Sequence, residues 1–272
     1  MSNASDYIHQ VKKRSEKIYG MIDDPVRIYS PAYFHRLRVE IKKMNALLSL
    51  VKFCSPGFPR KRILKPYKEL GKSAGEVREI QLEEAIIRKL PRGPFTIQYL
   101  TVLKEMHGNK KKHFIEIKTR VNSELRKREL KIIPYADEIN PINMAGYFAE
   151  ITGDCISQMD GNRLKTSLIH KLRMRLKEFF YNIEVIQPDA KKSLKKINLL
   201  QDLIGKWHDY NVIITHLDNF KRRNKLNLRD GVRLQKTKAD LTSRAAQLLT
   251  RINSVKDEAL TELHQLKLAG DN

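Results

Sequence analysis

The sequence predicts an all-α protein built as two antiparallel helical bundles. Three observations carry this. Apolar residues recur at spacings of 3 and 4 through most of the chain, and few segments alternate as strands do. Proline, glycine and serine clusters fall between the periodic segments as start and stop signals. A motif in the first half recurs in the second, which marks an internal repeat. The first helix is expected over 6–21. Ser30-Pro31 opens the second, with Ser at the N-cap and Pro at the first helical position. That helix ends near Cys54, before Ser55-Pro56-Gly57. A third covers 60–90 and stops at Pro91-Arg92-Gly93. Two shorter helices follow at 95–106 and 111–130, with Lys110-Lys111-Lys112-His113 read as an exposed loop and helix start. Residues 134–141, bounded by two prolines, form the linker. The second half repeats the plan at 142–159, 162–186, 189–220 and 228–266. The bundles are thus expected over 5–135 and 140–268. Helices as long as 60–90 and 189–220 need neighbours packed along their length.

The chain has 272 residues, of which 41% are hydrophobic, enough for a real core and too many for a disordered basic tail. Lys plus Arg number 53 against 31 Asp plus Glu, a formal charge of +22. A surface so charged repels itself unless an anion sits on it, so a long polyanion, a nucleic acid or an acidic membrane surface is the expected partner. No run of 18 apolar residues occurs, which excludes a membrane-spanning helix. Cys54 and Cys155 make neither a zinc pattern nor a disulfide framework, and a reducing cytoplasm suits them.

The repeat carries the chemistry. Phe34-His35-Arg36-Leu37-Arg38-Val39-Glu40-Ile41-Lys42-Lys43-Met44 aligns with Ile169-His170-Lys171-Leu172-Arg173-Met174-Arg175-Leu176-Lys177-Glu178-Phe179. Counted from each His, both have a basic residue at +1, Leu at +2, Arg at +3 and Lys at +7. At 100° per residue, His35, Arg38 and Lys42 fall within about 60° on one helix face, as do His170, Arg173 and Lys177. Phe34, Leu37, Ile41, Met44 and Leu48 lie on another face, and Ile169, Leu172, Leu176, Phe179 and Ile183 match them. Each helix therefore buries one side and presents a line of cations beside it. Solvated faces usually mix charge signs to gain i,i+4 pairs; these lines do not. Arg can bridge two phosphate oxygens, Lys acts as a mobile point charge, and neutral His donates one hydrogen bond.

A helical His-x-x-Arg-x-x-x-Lys, present twice in a basic all-helical chain, resembles the CHAD family, named for histidines on an α-helical domain. In that family each His helix is followed by a partner helix with an Arg-Asp or similar acidic signature. Leu203-Ile204-Gly205-Lys206-Trp207-His208-Asp209 looks like that signature, and Ala74-Gly75-Glu76-Val77-Arg78-Glu79 stands in the equivalent place. The resemblance runs from about Tyr7 to Glu262. Members often carry a further Arg ten residues past the His; here Asn45 and Phe180 occupy those places, and Glu79 replaces the first Asp. The resemblance implies two bundles about a pseudo-two-fold, with a basic groove or pore between them. It implies binding of inorganic polyphosphate by an intracellular module sometimes associated with polyphosphate granules; the residues themselves offer no Gly-rich phosphate loop, no Ser/His/Asp set and no zinc-type spacing, so a non-enzyme without cofactor or metal is expected. The candidate contacts are then His35, Arg36, Arg38, Lys42, Lys43 and Arg78 in the first half, with His170, Lys171, Arg173, Arg175, Lys177 and His208 in the second. Glu79 and Asp209 are expected to orient the cations beside them.

Two other classes compete for the same residues. Nucleic acid would account for the charge, but aromatics are only 7% and those beside the stripes, Phe34, Phe179 and Phe180, fall on or near the apolar face, with Tyr181 alone closer. His208-Asp209 is the kind of pair that metal-dependent phosphohydrolases use, yet no ordered set of further ligands accompanies it. Lys61, Arg62, Lys65 and Lys68, with Lys191, Lys192, Lys195 and Lys196 in the second half, are read either as edges widening the groove or as solvated surface.

Overall fold

The computed structural model describes residues 4–24, 29–161, 164, 166–186, 194–224 and 226–270. Among them stand eight α-helices, one 3-10 turn and no strand, as the apolar spacing predicts. The helices are α1 (Ala4–Asp23), α2 (Pro31–Cys54), α3 (Arg60–Ile87) and α4 (Pro94–Glu129), then α5 (Pro141–Met159), α6 (Thr166–Ile186), α7 (Lys195–Arg223) and α8 (Leu228–Gly270). Ser30 caps α2 as expected, its hydroxyl accepting the Tyr33 N–H at 3.2 Å ahead of Pro31. Asn140 does the same for α5, its side chain accepting the Asn143 N–H at 2.9 Å ahead of Pro141. The α7 start is satisfied from outside: the Glu262 carboxylate of α8 accepts the N–H groups of Lys196 and Ile197 at 3.0 Å. The expected linker contains a short 3-10 helix, Ile133–Glu138.

One expectation fails. The two short helices of 95–106 and 111–130 are a single helix, α4, and Lys110 to His113 lie inside it. Phe95, Tyr99 and Leu103 are buried at its start and Phe114, Val121 and Leu125 further on. From Leu103 to Phe114 is eleven residues, about three turns, so the apolar face stays in register and the helix has no reason to break. Gly108 costs it only about 1 kcal/mol.

In the first half α2 packs on α1 and α3, and α4 closes the set against α3 and α1. In the second half α6 packs on α5 and α7, and α8 closes against α7 and α5. The two sets meet chiefly where α2 packs on α6. The predicted apolar faces of these helices are buried throughout: Phe34, Leu37, Met44 and Leu48 are 0% exposed, as are Ile169, Leu172 and Leu176. The largest apolar cluster is continuous from Tyr7 to Leu263 through both halves. A second joins Ile80, Phe95 and Tyr99 to Ile213, Leu217 and Phe220. A buried amide also bridges the halves, the Asn182 Nδ2 donating to the Ala46 carbonyl at 3.1 Å.

Candidate functional site: a cationic cavity between the halves

With the apolar faces of α2 and α6 turned inward, the adjoining stripes are carried to the same place. A cavity of about 270 Å³ is walled by His35, Arg38 and Lys42 of α2, Arg78 and Glu79 of α3, Arg173 and Lys177 of α6, and His208 and Asp209 of α7. Five lysines and arginines thus face two carboxylates. Val39, Leu82, Tyr181, Val212 and Ile213 complete the wall.

The cations crowd one another. Burial pushes the Lys42 ammonium down to about 7, helped by the charges of Lys177, Arg38 and Arg173. Burial likewise pushes Lys177 down to about 8, with Arg173 and Arg38 adding to it. Each amine bears on the proton affinity of the other, so the pair titrates together and not as two isolated lysines. His35 and His208 are held below the usual histidine range, first by burial and then by the neighbouring cations. Both are neutral donors at pH 7.

The carboxylates hold the arginines. The Arg38 guanidinium stands 3.8 Å from Glu79 and donates from Nη1 to the Gly75 carbonyl at 3.3 Å. It lies against α3 at Gly75, where a Cβ would stand in ordinary contact 3.4 Å from Arg38 Cζ and a longer side chain would meet the guanidinium. In the second half Asp209 opposes the burial of Arg173, whose Nε is itself buried without a hydrogen-bond partner.

Of the twelve predicted contacts, His35, Arg38, Lys42, Arg78, Arg173, Lys177 and His208 line the cavity, with the predicted supports Glu79 and Asp209 beside them. The other five stand elsewhere. His170 is exposed, its ring 5.9 Å from that of the cavity residue His208. Arg36 and Lys171 are exposed and outside the wall. Lys43 pairs with Glu184, and Arg175 sits among Asp154, Glu178 at 3.5 Å and Glu150 at 3.8 Å. These two cations are turned towards carboxylates that the stripe pattern could not reveal, most of them remote in sequence. Tyr181 was within reach of the pattern: it stands eleven residues after His170, about three turns on and so on the same face. Nothing in the sequence marks Glu83. It is buried, accepts the Tyr99 hydroxyl and lies 2.7 Å from His216 Nδ1, joining α3, α4 and α7.

Fold and site together define a class: a duplicated all-helical protein whose two halves enclose one cationic cavity. The comparisons place the chain within that class. The family description "CHAD domain" matches residues 23–218, and the chain belongs to the CHAD family. The structure is similar to the CHAD domain from the plant Ricinus communis, at 13% identity, over 97% of this chain and 92% of that one, with a TM-score of 0.72. At that identity the likeness is one of fold. No curated protein sequence matches the chain.

Proposed function

We propose that the protein binds inorganic polyphosphate in this cavity without transforming it. The observation that carries the reading is the Lys42–Lys177 pair. Two half-buried amines, one from each half, line the same cavity with three arginines around them, and Glu79 and Asp209 do not balance them. Such a site is relieved by an anion dense in charge. A linear phosphate chain offers an oxygen anion on every unit and needs no stacking surface, whereas a nucleic acid would use aromatic platforms that this wall lacks apart from Tyr181. The neutral His35 and His208 donate to phosphate oxygens and the arginines bridge them. A cytoplasmic setting, where such chains occur in granules, accords with the two unpaired thiols Cys54 and Cys155.

The test is a titration of the whole chain with polyphosphate, in competition with duplex DNA and with tRNA at equal phosphate concentration. Polyphosphate should win, and a variant with Arg38, Lys42, Arg173 and Lys177 all changed to Gln should lose measurable binding while keeping its helical content. Displacement by tRNA would favour nucleic acid instead. Catalytic release of orthophosphate in the presence of a divalent metal would make the protein an enzyme and end the binding-only reading.

A further inference from the structure

The cavity uses five of the chain's 53 lysines and arginines. A second set is ordered with respect to it. Lys61, Lys65, Lys68 and Lys72 of α3 are all exposed and recur at steps of 4, 3 and 4, which sets them within about 60° of one another. Among the described residues none of the four has an ion-pair partner. The two carboxylates nearest along the helix are engaged elsewhere, Glu69 with Arg120 at 2.8 Å and Glu76 with Lys110 at 2.9 Å, both towards α4.

The line leads into the cavity. Glu79, part of the cavity wall, stands seven residues beyond Lys72, two turns on and on the same face. Between them is Gly75, and over Gly75 lies the Arg38 guanidinium. Arg38 thus fills the rung that α3 itself leaves empty. Cations follow one another at roughly 5–6 Å from Lys61 to Arg38, over about 21 Å of helix. Among the described residues the second half has no such line. Aligned through Glu79 and Asp209, Lys72 is answered by Asp202 and Lys68 by Asn198, while a Cβ at Gly205, the counterpart of Gly75, would meet nothing within 4 Å. Lys195 answers Lys65, and Lys191 and Lys192 lie outside the described residues.

We propose that this face of α3 is an outer binding track, on which a polyphosphate chain too long for the cavity continues, so that the chain leaves over the first half and not the second. The track rests on the polyphosphate reading above. It requires that long and short chains respond differently to one change. The probes are tripolyphosphate, which the cavity alone accommodates, and long-chain polyphosphate, titrated against the full chain at several salt concentrations. The variant is K61E/K65E/K68E/K72E. The control, K221E/R223E/R229E/K236E, reverses as many exposed charges at the junction of α7 and α8.

The track variant should bind long chains about a hundredfold more weakly, and its slope of log affinity on log salt should flatten by about three, at roughly 0.7 per lost contact. Its affinity for tripolyphosphate should stay within about threefold at physiological salt, where screening acts over about 8 Å. The control should keep most of the long-chain affinity. Equal losses in both variants, or an unchanged salt slope in the track variant, would overturn the track and leave the cavity standing. Loss of tripolyphosphate binding in the track variant would show that the lysines serve the cavity and not a separate track. If the unmodified protein binds neither probe, the polyphosphate reading itself fails and takes the track with it.

Discussion

The two halves start from the same three-residue stripe and use it differently. In the first, Arg38 is held before any ligand arrives: it lies against Gly75 and donates to its carbonyl, and Glu79 stands 3.8 Å away. In the second, Arg173 has Asp209 nearby but its Nε is buried and unsatisfied, and nothing lies on Gly205. A repeated motif therefore fixes where cations stand without fixing how they are held. One half offers a preorganised guanidinium, the other a guanidinium with a hydrogen bond still to make.

Changing each arginine to Ala tests that difference most strongly. Arg173→Ala should weaken polyphosphate binding by up to about a hundredfold, because charge-assisted hydrogen bonds are worth about 1.5–3 kcal/mol each. Its ligand-free melting temperature should hold or rise, since a poorly satisfied buried charge is gone. Arg38→Ala should also weaken binding, but with a lower melting temperature, because its bond to Gly75 is lost. Matching thermal shifts in the two variants would erase the contrast.

The next test falls where the halves touch. A lysine whose amine is held at about 7 in the folded protein and near 10.5 when unfolded binds fewer protons folded than unfolded between those values. Its burial is thus a full penalty below about pH 7, and that penalty is lost as pH rises towards 10.5. The ligand-free protein should accordingly gain stability from pH 7 to pH 9 through Lys42, and likewise from about pH 8 upwards through Lys177. Polyphosphate reverses the sign by favouring both ammonium forms. Binding near pH 8 should take up protons, and affinity should fall by up to about tenfold per pH unit above it. Calorimetry in two buffers of different ionisation enthalpy measures the uptake, and Lys42→Met combined with Lys177→Met should abolish it. Equal heats in both buffers for the unmodified protein would remove the coupled-titration account.

The smallest effect concerns the glycines. Gly205→Ala should stabilise α7 by about 0.5–1 kcal/mol and leave binding unchanged, because the site is open and mid-helical. Gly75→Leu should displace Arg38 and weaken binding by about tenfold. Denaturant melts and titrations of the pair decide it, and a neutral Gly75→Leu would mean that Arg38 needs no seat.

The helices are legible in the sequence because their ends carry their own chemistry, as Ser30-Pro31 does. The repeat likewise aligns Arg38 with Arg173 and Lys42 with Lys177 without any knowledge of packing. Where sequence and structure part, the deciding partner is out of the pattern's reach. Lys43 and Arg175 match the stripe composition but are drawn to Glu184 and to Glu150 and Asp154 of α5. Local propensity suggests a break in α4 at Gly108, and an apolar register spanning it overrides that preference. Glu83 leaves no trace in the sequence, since its partners Tyr99 and His216 come from two other helices.

The packing of α2 on α6 within one polypeptide has a consequence for inheritance. Had two separate copies of a half-length chain met across that surface, symmetry would impose every substitution twice, and a lysine gained on one side would appear on the other. Joined end to end, the halves mutate independently. Lys72 and Asp202 can then occupy matching places with opposite charge, and one shared cavity can acquire a front and a back.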